Sequence, residues 1–299
     1  MILVIGEALV DVVTSPQGTT VRPGGSPTNV AVGLGRLGFD VQLVTALGPD
    51  EYGELVRAHL EASNVAVHAS PLAQTSVACA SLDGSGAASY DFALRWELTG
   101  VERVIPKPSW LHVGSIAVTL APGSEQLAAL VNAHAGAAVV SYDPNCRPQL
   151  MGDPQAVLPV IERQVAASEL VKLSNEDAEW LFPAKSLDEV ASRWLSLGVR
   201  AVVVTKGAEG ASAWTADNSV SVAAESAGLP IRDTVGAGDS FMAALIARLS
   251  VVQSESRYTE EALGGALEFA SRVARMTCER VGADPPWSAE LIDSHTAHG

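Results

Sequence analysis

The chain is poor in cysteine, in aromatic side chains and in positive charge, and each shortage removes a class of answers. Its 299 residues include three cysteines, Cys79, Cys146 and Cys278, odd in number and far apart. Such thiols make neither a disulfide framework nor a CxxC metal pair. The six histidines show no HExxH spacing, and aromatic residues are only 5% of the chain. Nineteen Lys and Arg stand against 34 Asp and Glu, a net charge of −15 with a pI near 4.7. Nucleic-acid binding needs a concentrated basic surface, and attraction to an anionic membrane needs the same sign, so neither partner is expected. No stretch of about 18 or more apolar residues is present to span a bilayer. The uncharged run from Pro108 to Ser124 is interrupted by Gly114, Pro122 and Gly123. The segment Met1 to Val13 lacks a basic region, and Glu7 and Asp11 break its apolar run. A soluble cytoplasmic protein is the expectation.

What is present is a rhythm. Ile2 to Ile5 is a short apolar run ending at Gly6, and similar runs recur at Val41 to Ala46, Trp110 to Val113, Ala138 to Ser141, Leu170 to Leu173 and Ala201 to Thr205. Short continuous apolar runs suit strands buried on both faces, as in parallel sheets. Helical patterns lie between them, at Thr28 to Leu37, Glu51 to Glu61, Glu125 to Ala135, Pro154 to Ala166 and Leu187 to Leu197. The alternation predicts one α/β domain, a parallel sheet covered on both faces. The C-terminal third is more helical, with Gly238 to Leu249 and Glu260 to Thr277, and Trp287 to Gly299 reads as a partly loose tail.

Two stretches leave the βα rhythm. Val12 to Arg22 reads strand, turn at Ser15-Pro16-Gln17-Gly18, strand; Val77 to Leu94 reads strand, turn at Asp83-Gly84-Ser85-Gly86, strand. Both are predicted antiparallel hairpins. They are either plain surface hairpins or a small β flap that closes over a ligand and excludes water.

Two segments carry candidate chemistry. In the first, Asp233-Thr234-Val235-Gly236-Ala237-Gly238-Asp239-Ser240-Phe241, two glycines allow a tight turn and a helix follows at once. A helix N-terminus presents unpaired N–H groups and partial positive charge, which suit a phosphate. Asp239 in the first turn is either a helix-stabilising carboxylate or a general base that takes a proton from a hydroxyl attacking phosphorus. The second segment is Pro23-Gly24-Gly25-Ser26-Pro27-Thr28-Asn29-Val30-Ala31. Its paired glycines permit close approach of a ligand to the backbone, and Asn29 offers donors and an acceptor from the start of a helix. A glycine turn before a capped helix explains the same residues. Asp11, just past the first buried strand, adds weight to the site, because central strands of open α/β sheets end at the ligand crevice.

One pattern misleads. Gly33-Leu34-Gly35-Arg36-Leu37-Gly38 fits the GxGxxG dinucleotide fingerprint, which must follow a strand and open a helix. Here it closes a helical pattern that began near Thr28, with Gly38 as its cap. A nicotinamide oxidoreductase would rest on this pattern alone. No GxxxxGK[ST] phosphate loop occurs.

Taken together, the two segments resemble the signatures of the ribokinase-like sugar kinases, also called phosphofructokinase-B-type carbohydrate kinases. Gly24-Gly25-Ser26-Pro27-Thr28-Asn29-Val30-Ala31, with Gly38 and Gly48 downstream, is similar to the N-terminal signature, and Asp233 to Phe241 to the C-terminal one. The resemblance runs from Ile2 to about Pro286, and the two hairpins match the family's β-lid. It implies a three-layer α/β/α core with a mostly parallel central sheet, a small β-sheet lid at about 12–22 and 77–94, and one kinase domain over 1–299. It also implies ATP-dependent phosphorylation of a sugar hydroxyl. Asp239 would be the base, and the N–H groups of Gly236, Ala237 and Gly238 an anion hole for the transferring phosphoryl group, a sparse arrangement that suits such transfer. Asp11, Gly24, Gly25 and Asn29 fall on sugar-binding positions. Asp143-Pro144-Asn145-Cys146-Arg147-Pro148 resembles a segment near the phosphates, with Arg147 either stabilising charge as the lid closes or making a surface salt bridge.

Thr205-Lys206-Gly207-Ala208-Glu209-Gly210 resembles the family's nucleotide-binding turn, with Gly207 and Gly210 meeting ribose and phosphates; alone it is equally a glycine turn leading to a strand at Ser212 to Thr215. Ser271, Gly282 and Ala283 would border adenine, and Asn175 would begin the family's Asn-x-x-Glu motif, which orders water around magnesium. The chain departs from that motif, since Asn175-Glu176-Asp177-Ala178-Glu179 places Ala178 where Glu is expected. Glu176 or Glu179 would substitute through water, or the ion would be held by ATP phosphates and water. Asp233 and the carbonyl of Val235 match part of a loop that binds a monovalent cation in some relatives, which implies potassium activation. Gly6 to Asp11 and Asp143 to Pro148 look most like the fructokinase branch, so fructose leads the expected substrates, ahead of ribose, 2-keto-3-deoxygluconate and nucleosides. A sugar phosphate would want more basic lid residues than Arg22 and Arg95. A sugar or nucleotide sensor without catalysis is the alternative from another class. The lid's exposed strands would let two subunits pair as a homodimer, with a monomer the equal alternative.

Overall fold

The apolar runs become strands, and their two faces feed two cores. A computed structural model describes residues 1–16, 18–82, 88–100, 107–226 and 228–293. The expected turn at Asp83 to Gly86 and the end of the expected tail lie outside the described residues. The strands are β1 (Ile2–Ile5), β2 (Leu9–Ser15), β3 (Gly18–Gly24), β4 (Val41–Leu47), β5 (Val65–Pro71), β6 (Ser76–Leu82) and β7 (Ala88–Ala93). They continue as β8 (Trp110–Gly114), β9 (Val139–Asp143), β10 (Leu170–Ser174), β11 (Ala201–Thr205), β12 (Ala211–Trp214) and β13 (Ser219–Val222). The helices are α1 (Ser26–Arg36), α2 (Glu51–Ala62), α3 (Gly123–His134), α4 (Pro148–Met151) and α5 (Pro154–Ala166), then α6 (Asn175–Leu181), α7 (Leu187–Leu195), α8 (Ala237–Ser250), α9 (Glu260–Cys278) and α10 (Ser288–Asp293).

The large sheet runs β13-β12-β11-β10-β9-β8-β1-β4-β5, parallel except at β11-β12 and β12-β13. Successive side chains of a strand point to opposite faces. In β1, Ile2 and Val4 therefore join the core under α1, α2, α8 and α9, whereas Leu3 and Ile5 join the core under α3, α5, α6 and α7. This is the expected three-layer arrangement. Crossovers bring the C-terminal ends of β1, β8, β9, β10 and β11 to one edge, and the candidate residues gather there.

The two hairpins share a second sheet of order β3-β2-β6-β7, in which β2 and β6 pair in parallel. Both begin earlier than expected, at Leu9 and Ser76. Asp11 is thereby moved: it lies within β2, opposite Arg22 of β3, rather than at the end of a strand of the large sheet. The described part of the expected partly loose tail is ordered, because Ser288–Asp293 forms α10 and Leu291 is buried in the core of α1 and α8.

The misleading glycines have a packing explanation. A methyl on Gly33 would stand 2.7 Å from the Ala243 methyl of α8, and Gly35 is pressed against the Ser63 carbonyl. Small residues let α1 lie close along α8, so that both helices point their N-termini at the same edge.

Candidate active site

Asp239 sits in the first turn of α8 and is 7% exposed. Its Oδ1 accepts from the Ser26 hydroxyl at 2.6 Å and from Asn145 Nδ2 at 3.3 Å, while Oδ2 accepts from Asn29 Nδ2 at 2.8 Å. Three donors from two distant segments converge on one carboxylate. A carboxylate offers about four lone-pair sites, so one, on Oδ2, is left for a further proton.

Local sequence explains each arm. α1 begins without a capping side chain, because its N-cap is Gly25 at φ 100°. A methyl there would stand 2.6 Å from the Glu7 carbonyl, so only glycine allows this entry, and Ser26 is free to reach Asp239. Gly24 has a side-chain reason: a methyl would collide with the Asp11 carboxylate. Gly236 is the N-cap of α8 at φ 77°, a left-handed position, and it also abuts Ala283, where a methyl would come within 2.5 Å. The Ala237 N–H closes a turn onto the Thr234 carbonyl at 3.2 Å, so the first turn presents chiefly the Gly236 and Gly238 amides. Asn145 holds φ 38°, a conformation that Asn tolerates better than most residues.

Charge at this edge is mixed. Burial pushes the Asp11 carboxyl up to about 6, with Arg147 pulling it down and Asp239 pushing it further up. Arg147 and Asp239 therefore lie near enough to Asp11 for their charges to act on it. Arg147 precedes α4 and folds over its own loop: Nη1 donates to Asn145 Oδ1 at 2.6 Å and to the Asn145 and Cys146 carbonyls at 3.1 and 3.0 Å. It is neither a remote surface salt bridge nor bonded to Asp239, and it orients the amide that is. Below them, Lys172 Nζ donates to Asp143 Oδ2 at 2.9 Å in a pair with side chains 4% and 0% exposed. Burial alone would neutralise this lysine, but Asp143, Asp177 and Asp239 outweigh it and hold the ammonium charged.

The remaining expected residues form a second group. With the amide orientation that satisfies both neighbours, Asn175 donates to Glu176 Oε2 at 2.6 Å and to the Thr205 carbonyl at 3.2 Å, tying α6 to the end of β11. Gly207 and Gly210, at φ 54° and 94°, flank a tight turn after β11. Asp233 binds two amides, Val235 N–H on Oδ1 at 3.0 Å and Gly282 N–H on Oδ2 at 2.7 Å. Gly282 and Ala283 are thus brought against the turn before α8, while Ser271 is half-buried on α9, two turns before its end. A cleft of about 660 Å³ opens on the α6 side, with Asn175, Glu176, Glu179 and Lys206 in its wall and Asp239 outside it.

The departure at the acidic motif also has a physical reading. Ala178 is 3% exposed, packed on the core at the border of this cleft, and its methyl offers no carboxylate to a metal shell. Asp177 instead completes a capping box with Ser174 and accepts the Cys146 N–H at 2.8 Å, bolting α6 to the Asn145 loop. Glu176 and Glu179 are exposed, and among the described residues no group of three or more His, Cys, Asp or Glu can hold a metal ion. These two glutamates do not fit a direct metal site.

Sequence reasoning passed over Ser26, Asn145, Asp143 and Lys172. Three lie inside quoted motifs without a role, and Lys172 had a signal of its own: one charged residue in a strand otherwise apolar.

The profile of the pfkB family of carbohydrate kinases matches residues 1–290. A fructokinase of Rhizobium leguminosarum bv. trifolii is 37% identical over 268 residues, 84% of this chain and 80% of its own. A double-mutant fructokinase of Vibrio cholerae O395, solved with fructose, ADP and potassium ion bound, superposes with a TM-score of 0.82 at 28% identity, over 94% of this chain and 93% of its own. A fructokinase of Xylella fastidiosa solved with ATP has the same fold, at a TM-score of 0.87 and 24% identity over 99% and 98%. With both signatures at one sheet edge, and near-complete coverage in sequence and in fold, the chain belongs to the pfkB family of carbohydrate kinases and is a sugar kinase.

Proposed function

We propose that the chain transfers the γ-phosphoryl group of ATP to a hydroxyl of fructose, with Asp239 as general base. The observation that carries this reading is the convergence of Ser26, Asn29 and Asn145 on the Asp239 carboxylate beside a glycine-started helix N-terminus. Three donors fix the carboxylate in space and leave one lone pair on Oδ2 unused. A sugar hydroxyl held there gives its proton to Asp239 as its oxygen bonds to phosphorus and the bond to the ADP oxygen breaks. The Gly236 and Gly238 amides, helped by Ala237, face the charge on the transferring group. Asp11 and Asn29 bind sugar hydroxyls, Gly24 and Gly25 allow the close approach, and Arg147 sets the Asn145 amide. Asn175, Thr205, Gly207, Gly210, Ser271, Gly282 and Ala283 line the nucleotide's side.

Fructose is favoured by the named relatives, and potassium by the ion in the Vibrio structure, with Asp233 and Val235 held together in one turn. Magnesium is assigned no protein ligand, and Glu176 and Glu179 act on it only through water.

The test is ADP release from Mg·ATP across a sugar panel headed by fructose, with and without potassium, beside Asp239→Asn. The expected result is turnover on fructose that rises with potassium and falls by about 10²–10⁴-fold in the variant. Undiminished turnover by Asp239→Asn removes the base assignment, and silence on every sugar with ATP still bound favours a sensor.

A further inference from the structure

Among the described residues, Lys172 is the one buried cation at this edge that the reaction as drawn leaves without a task. Its Nζ is 3.2 Å from the point a Gly238 methyl would occupy, and no other atom outside the helix's own backbone and the adjacent residues lies within 4 Å of that point. The Lys172–Asp143 pair therefore presents its positive end to the first turn of α8. From Asp143 a chain of bonds leads to the base. Asp143 Oδ2 takes the lysine at 2.9 Å, Oδ1 takes the Asn145 N–H at 3.2 Å, and Asn145 Nδ2 reaches Asp239 Oδ1 at 3.3 Å.

Stability does not account for the pair. A buried ion pair is commonly no more stable than apolar residues of the same volume, and breaking one partner alone is what costs most. The charged and titratable groups facing Lys172 are Asp143 of β9, Asp177 of α6, Asp239 of α8 and His112 of β8. Three of the four are carboxylates, so without the ammonium this edge would hold mutually repelling negative charge where a polyanion has to bind.

We infer that Lys172 is a positioning residue of the phosphoryl-transfer site: clamped by Asp143 beneath Gly238, its ammonium adds fixed positive charge behind the anion-binding amides and holds the loop that aims Asp239. The inference rests on the kinase reading. A charge fixed in a water-excluded site acts most strongly where new charge develops, so its loss falls on kcat rather than on sugar binding.

Lys172→Met is compared with Lys172→Met/Asp143→Asn. The double variant removes both charges and keeps a carbonyl oxygen for the Asn145 N–H, so a folding defect from an orphaned carboxylate is avoided. The expected result is a double variant that melts near the parent temperature, with kcat reduced roughly 10- to 100-fold and fructose KM within about threefold. In Lys172→Met, which keeps Asp143, the acid limb of the kcat–pH profile moves to higher pH, because carboxylates that lose a nearby cation hold their protons more tightly. A purely structural lysine would not move that limb. A folded double variant with kcat within about threefold of the parent, beside an unmoved acid limb in Lys172→Met, overturns the inference alone. A parent without sugar-dependent turnover, or with turnover indifferent to Asp239→Asn, overturns the kinase reading and this inference with it.

Discussion

Glu7 shows how far a single side chain at this edge is from its solution behaviour. It is 5% exposed, and burial pushes its carboxyl up to about 7 against bonds from its own backbone, Ser115 and Ala117 and the charge of Arg147. The folded state therefore keeps a proton that the unfolded chain releases near 4.5. Stability from this group is complete below about 4.5 and is lost as pH rises through about 7, a total of about 3 kcal/mol. Denaturant melts across that window should decline with rising pH in the parent and flatten in Glu7→Gln; an unchanged slope would assign the decline elsewhere. Asp239 and Asn29 were legible at this scale because each sits in a glycine-marked motif. Ser26, Asn145 and Lys172 were not, since their roles exist only where α1, the β9 loop and β10 meet α8.

Among the elements, the pairing of α1 with α8 decides whether the site exists. Ser26 and Asn29 leave α1, Asp239 leaves α8, and Gly33 against Ala243 sets the spacing between them. Gly33→Ala puts a methyl 2.7 Å from another and pushes the helices apart. The expected cost is about 1–3 kcal/mol of stability. Turnover should fall as well, because the donors to Asp239 are displaced; urea melts and kcat measured together check this, and full activity at reduced stability would mean the helix spacing is irrelevant to the base. Most strands and long helices of the core were readable from their apolar runs and periodicity. β5 was not: as an edge strand it buries only Val65 and Ser70 and leaves the rest half-buried or exposed, without the continuous apolar run that marked its neighbours. The helix α10 escaped for a related reason, since a six-residue segment carries too little periodicity to be recognised.

For the molecule as a whole, the second sheet is the part whose relation to the core matters most. It joins hairpins that are far apart in sequence through the parallel β2-β6 pair, and it returns to the core at Arg22, whose guanidinium lies against Gly282. Gly282 is in turn bonded to Asp233, and Ala283 abuts Gly236, so the contact reaches the turn that starts α8. Arg22→Ala should raise KM for both substrates several-fold with unfolding free energy changed by no more than about 0.5 kcal/mol, as for other exposed substitutions. Steady-state kinetics beside a melt would show it, and unchanged KM values would remove Arg22 from the coupling.

The sequence by itself determined the layer architecture, the two hairpins and the two glycine signatures, because periodicity, turn residues and short motifs are properties of neighbouring residues. Only the tertiary structure decided which donors hold Asp239, that Asp11 lies within the second sheet opposite Arg22, that Ala178 is packed on the core, and that a lysine is buried under Gly238. Those facts depend on which side chains meet across strand ends and helix faces far apart in the chain, and no local pattern encodes a meeting.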